Sequence, residues 1–103
     1  MTTPRSTNFL MANLGSEMLR FLNLKNANQA EAAENSAQRA LDLIQKLSKQ
    51  ADIGNGAKEV AILKDLIQDA KTKSPQYHLS AEELNQYFAP FSARVLQEIQ
   101  KTS

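Results

Sequence analysis

Apolar positions recur every three or four residues along most of the chain, which is the spacing of helices with one buried stripe. From Thr7 onward Leu10, Leu14, Met18, Phe21 and Leu22 form such a stripe, with Asn13, Ser16, Arg20 and Asn23 on the other side. This first helix is expected to end near Lys25–Asn26, where Asn suits a left-handed cap and Lys suits the negative end of the helix dipole. Residues 1–6 read as a frayed tail. A second helix is expected to open at Asn28 as N-cap, with Glu31 completing a variant capping box. Its seam is Ala30, Ala33, Ala37, Ala40, Ile44, Leu47 and Ala51, in strict alternation of three- and four-residue steps. Small residues fill the first half of that seam, so a neighbouring backbone can approach closely there. Gly54 and the Asn55–Gly56 pair should close the helix within Asp52–Gly56.

A third helix is expected from about Ala57 to Thr72, striped by Val60, Leu63, Ile67 and Ala70 and stopped by Ser74–Pro75. Ile62 and Leu66 widen its stripe, which suits a helix touching two neighbours. The fourth has the clearest start: Ser80 and Glu83 make a capping box, and Leu79 with Leu84 makes a hydrophobic staple. Leu84, Phe88, Phe91, Val95 and Ile99 follow as its stripe. Pro90 lies inside it, so a kink or a split is expected there. Short connectors favour antiparallel neighbours. The reading is therefore an all-α fold, an antiparallel up-down four-helix bundle formed by residues 1–103 as a single domain, with the fourth helix kinked or split at Pro90.

Composition supports this: three Gly and three Pro leave little punctuation in 103 residues. A formal net charge of +1 gives no whole-molecule field for nucleic acid or anionic lipid, so nucleic acid is not supported as a partner. With no cysteine there is neither a disulfide nor a thiolate metal site. Phe9, Leu10 and Met11 follow Arg5, but Glu17 and Arg20 interrupt the apolar run too early for a signal-peptide core. No stretch approaches the ~20 apolar residues of a membrane span. A cytoplasmic protein away from membranes is the expectation.

Three segments carry a resemblance. Residues 11–22 (Met-Ala-Asn-Leu-Gly-Ser-Glu-Met-Leu-Arg-Phe-Leu), residues 39–44 (Arg-Ala-Leu-Asp-Leu-Ile) and residues 87–94 (Tyr-Phe-Ala-Pro-Phe-Ser-Ala-Arg) are together similar to an uncharacterised group of small bacterial all-helical proteins with no established activity. They cover about a quarter of the chain. None is a catalytic signature, so the resemblance implies a helical bundle and no particular function.

Candidate chemistry is sparse. His78 is the only histidine, placed between Tyr77 and Leu79, and reads as a loop residue without ligand neighbours. No Glu precedes it at the spacing of di-metal bundles, and Glu31, Glu34, Glu82 and Glu83 sit near helix starts, where acids suit the dipole. No metal or cofactor is expected, and no nucleophile elbow or phosphate-binding loop is present. Gly15 reads as a point of close helix contact or a late helix start. The Arg-then-His pattern of toxin-type helical ribonucleases is missing, because Arg5, Arg20, Arg39 and Arg94 all lie far from His78. Lys58, Lys64, Lys71 and Lys73 are interleaved with Glu59, Asp65 and Asp69.

Two groups of residues remain. Glu17, Arg20, Tyr87 and Arg94 are candidates for a polar or aromatic pocket, with surface ion pairing as the commoner fate of Glu17–Arg20 and of Arg94–Glu98, and core filling that of Tyr87, Phe88 and Phe91. Phe9, Leu19 and Leu24 exceed what one stripe needs and are candidates for an interface between copies. The sequence thus points to a non-catalytic interaction module, a homo-oligomer or one that docks on a protein partner. A nucleic-acid-associated regulator, or a small-ligand binder using the Pro90 region, is the alternative.

Overall fold

The computed structural model describes residues 6–50, 54 and 56–101, with the side chains of 98–101 left aside. It is all-α, with four helices: α1 (Thr7–Asn26), α2 (Ala30–Ser48), α3 (Gly56–Ala70) and α4 (Ala81–Lys101). The helices pack in the order α4–α1–α2–α3: α1 lies against both α2 and α4, and α2 carries α3 on its other side. No helix among the described residues is long and apolar enough to cross a membrane.

The position of α1 between two neighbours explains its excess of large apolars. The expected stripe Leu10, Leu14, Met18, Phe21 and Leu22 is buried, and so are Met11 and Gly15, because a helix packed on two sides needs a broader buried face. On α2 the seam residues Ala33, Ala37, Ala40, Ile44 and Leu47 are buried. Ala30 is exposed, and Ala51 lies outside the described residues. The methyl side chains let α1 approach α2 closely where the seam is small. On α3 the whole expected stripe, Val60, Leu63, Ile67 and Ala70, is buried. On α4, Leu84 and Phe88 are buried, whereas Phe91 and Val95 are only partly covered. Ile99 and Glu98 fall among the side chains left aside.

Several boundaries differ from those expected, each for a local reason. Ser6 is no part of a loose tail: its hydroxyl accepts the Phe9 N–H at 3.1 Å and caps α1. Asn28, expected as the N-cap of α2, instead has φ 59° and closes α1. Gln29 N–H reaches Leu24 O at 2.9 Å and Asn28 N–H reaches Lys25 O at 3.1 Å, the paired bonds of a Schellman ending. The left-handed residue is thus Asn28 rather than Asn26, and the N-cap of α2 is Gln29, which makes no side-chain capping bond. The end of α2 comes at Ser48, before the expected Asp52–Gly56. There the Ser48 hydroxyl bonds the Ile44 carbonyl at 2.9 Å, and the N–H groups of Lys49 and Gln50 turn to carbonyls three residues back. Gly56 begins α3 rather than ending α2.

The end of α3, at Ala70, precedes the expected Thr72. Thr72 N–H and hydroxyl both bond the Asp69 carbonyl, at 3.1 and 2.7 Å, and tighten the chain out of the helix. The Asp69 carboxylate then accepts the N–H groups of Gln76 and Tyr77, at 2.9 and 3.1 Å, tying the connector back to α3. The ammonium of Lys25, expected to serve the end of its own helix, donates to the Ala70 carbonyl and so caps α3 from α1. Lys71 pairs with Glu34 at 2.9 Å beside it.

At the start of α4 the Glu83 N–H bonds the Ser80 hydroxyl at 3.1 Å, so Ser80 is its N-cap and supplies one of the two bonds of the expected capping box. Ser80→Ala is therefore expected to lower stability by about 0.5–2 kcal/mol, the usual cost of losing an N-cap. Urea melts of the two proteins check this; coincident midpoints would mean that this cap does not hold α4 in place. The helix runs unbroken through Pro90, so it is not split there.

Candidate functional site

Although α3 and α4 follow one another in sequence, they approach only loosely, and an apolar groove of about 590 Å³ lies between them. Its floor is Leu63 of α3 and Leu84 of α4, both buried. Its walls are Ile62 and Leu66 on α3, and Leu79 and Tyr87 on the α4 side. The stripe that α3 presents is wide because Ile62 and Leu66 belong to this second surface, which no helix of the chain covers fully. Ile62 is 58% exposed and Tyr87 38% exposed, both unusual for large residues flanking a core. Glu59 and Glu83 stand one on each wall, and none of the residues lining the groove is basic.

Burial, and after it the negative charge of Glu59 on the facing wall, raise the Tyr87 phenol above its ordinary value. The ring of Tyr87 meets that of Phe88 edge-on at 4.9 Å and lies 6.1 Å from Phe91. Phe88 in turn packs on Gly15, where an added Cβ would stand 2.5 Å from its Cγ. Gly15 is thus a point of close helix contact and lies well inside α1. The Arg94 guanidinium lies 5.3 Å above the Phe91 ring, outside the groove.

Glu17 and Arg20 lie elsewhere, in a polar cleft of about 450 Å³ between α1 and α2, lined also by Arg39, Asp42 and Lys46. The Glu17 carboxylate accepts from Arg39 Nε at 3.0 Å and stands 3.7 Å from Arg20. A second guanidinium nitrogen of Arg39 donates to the Ser36 hydroxyl at 2.9 Å, satisfying a polar side chain that is fully buried. The four residues proposed for one pocket are therefore divided: Glu17 and Arg20 in this cleft, Tyr87 in the groove, and Arg94 on Phe91. The ion pair of Glu17 runs chiefly across helices, to Arg39.

The surplus apolars of α1 are mostly accounted for within the chain. Leu24 packs against the core, Leu19 borders the α1–α4 seam beside Leu84 and Ala89, and Phe9 is partly buried. His78 is exposed on the connector, and among the described residues no three His, Cys, Asp or Glu side chains gather as a metal-binding set.

The sequence reading missed the groove, Arg39 and Ser36. Ser36 had a signal, since it falls three residues after Ala33 and four before Ala40 on the buried face of α2. Ile62 and Leu66 give α3 extra apolar width, but helical spacing does not say whether a second face meets a neighbour or solvent. Compared with family models, with curated proteins and with solved structures, the chain gives no match.

Proposed function

We propose that this chain is a non-catalytic helical interaction module, an up-down bundle whose work is to bury an apolar face against another polypeptide. One observation carries the reading: the α3–α4 side is left open, with Ile62 58% exposed above the leucine floor. An aliphatic side chain of this size forfeits about 1.5–3 kcal/mol when exposed rather than buried, and association recovers that loss. Isolated exposed apolars mean little, but Ile62, Leu66, Leu79 and Tyr87 line a single concavity. Self-association through Phe9, Leu19 and Leu24 has less support, because none of the three is fully exposed and α4 and the core already cover part of that face.

The test is photo-crosslinking inside the cells that make the protein, with a benzophenone amino acid at position 62. A discrete adduct with another polypeptide, a second copy or a different chain, is expected from that position. None is expected from Gln38, which is exposed on α2. Failure to form a discrete adduct at position 62 under conditions where the protein is folded would overturn the reading.

A further inference from the structure

The identity of the partner's binding surface follows from the groove itself, given that the chain is an interaction module. Its walls are two helices, and among the described residues there is no strand edge to which an extended peptide could add. Ile62 and Leu66 on α3, and Glu83 and Tyr87 on α4, are spaced four apart, so each wall presents a ridge of the kind into which a third helix packs. The 15 residues of α3 extend about 22 Å, room for three or four turns of a partner helix. Charge then selects among helices. A carboxylate stands on either wall, Glu59 on α3 and Glu83 on α4, and no lining residue is basic. A partner with acidic flanks would set like charges beside both, whereas Lys or Arg would meet them on both sides.

We propose that the α3–α4 groove is the receptor for an amphipathic helix of another protein, one whose apolar stripe is bordered on both sides by Lys or Arg. The apolar stripe sits over Leu63 and Leu84 between Ile62 and Tyr87, and the flanking cations reach Glu59 and Glu83. Affinity comes from the stripe, and selection among helices from the two carboxylates.

Fluorescence anisotropy with three synthetic helical peptides tests this. Each has about 16 residues (~24 Å when helical) and the same Leu stripe, and the flanking positions are all Lys, all Gln or all Glu. The Lys peptide should bind at least ~10-fold more tightly than the Gln peptide, with the Glu peptide weakest, and rising salt should narrow the spread. Ile62→Lys should abolish binding without changing the helical circular dichroism, since that side chain is mostly exposed. Glu59→Gln combined with Glu83→Gln should bring the Lys and Gln peptides together while leaving the stripe's contribution. Equal binding of all three peptides, no binding, or full binding by Ile62→Lys would each overturn the proposal. So would light scattering that shows a dimer converted to monomer by Ile62→Lys. That last result would place a second copy in the groove, refuting a basic partner helix while leaving the interaction-module reading intact.

Discussion

Phe88→Ala is expected to lower stability by about 3–5 kcal/mol, the range for removing a buried phenylalanine ring. Phe88 and Leu84 are the two buried anchors of α4 among the described residues. Without the ring, α4 keeps only the residue-88 Cβ against Gly15, and Tyr87 loses the edge-on partner at 4.9 Å. For a domain whose whole stability is of order 5–15 kcal/mol, that is a large share. Urea denaturation followed by circular dichroism measures it, and an unchanged slope would show that the protein still unfolds as one unit. A loss below about 1 kcal/mol would mean that α4 is held mainly by something other than this ring.

Gly15→Ala should also destabilise, by about 2 kcal/mol, although the same change at an exposed helical position would normally stabilise. Helix propensity favours Ala by about 1 kcal/mol. Against that, the new Cβ would meet Phe88 Cγ at 2.5 Å, Cβ at 2.8 Å and Cδ1 at 2.9 Å. These atoms sit close to the backbone of α4 and cannot swing aside, so the helix must shift away from α1. Overpacking of this kind costs about 1–3 kcal/mol, and three contacts inside 3 Å place it at the upper end. A double-mutant cycle isolates the cause: with Phe88→Ala present, the cost of Gly15→Ala should fall by at least ~1 kcal/mol. A Gly15→Ala protein more stable than its parent would show that α1 and α4 are not in close contact here.

The fold was largely legible because its strongest signals are local. The seam Ala33–Ala37–Ala40–Ile44–Leu47 and the N-cap Ser80 are each signalled by residues only a few positions apart, and both appear where the spacing places them. The misread boundaries came from residues with two possible uses. Asparagine serves equally as an N-cap and as a left-handed terminator, and only backbone geometry shows that Asn28 does the second. Lys25 suits the end of its own helix on local grounds, yet donates to a carbonyl 45 residues away. The candidate site was less legible for the same reason. Ile62 and Tyr87 carry helical spacing indistinguishable from that of the core, and their exposure depends on how far apart α3 and α4 stand. Glu17 and Arg39 are 22 positions apart, a separation at which sequence offers no pairing rule.

The spatial order α4–α1–α2–α3 also bears on loop-closure entropy. Neighbours α2 and α3 are joined by residues 49–55, whereas bringing α4 onto α1 in an otherwise unstructured chain closes the whole of 27–80. Closure entropy rises by about 0.6 kcal/mol per doubling of loop length, so an eightfold longer stretch costs about 2 kcal/mol more. Once α2 and α3 have formed, the remaining tether is only 71–80, and Asp69 already holds Gln76 and Tyr77 against the end of α3. Assembly in chain order therefore removes most of that entropic penalty before the last helix arrives. The interlock of Phe88 with Gly15 then has to oppose only the closure of a short tether, which lets two buried anchors suffice for the helix that travels farthest back along the chain.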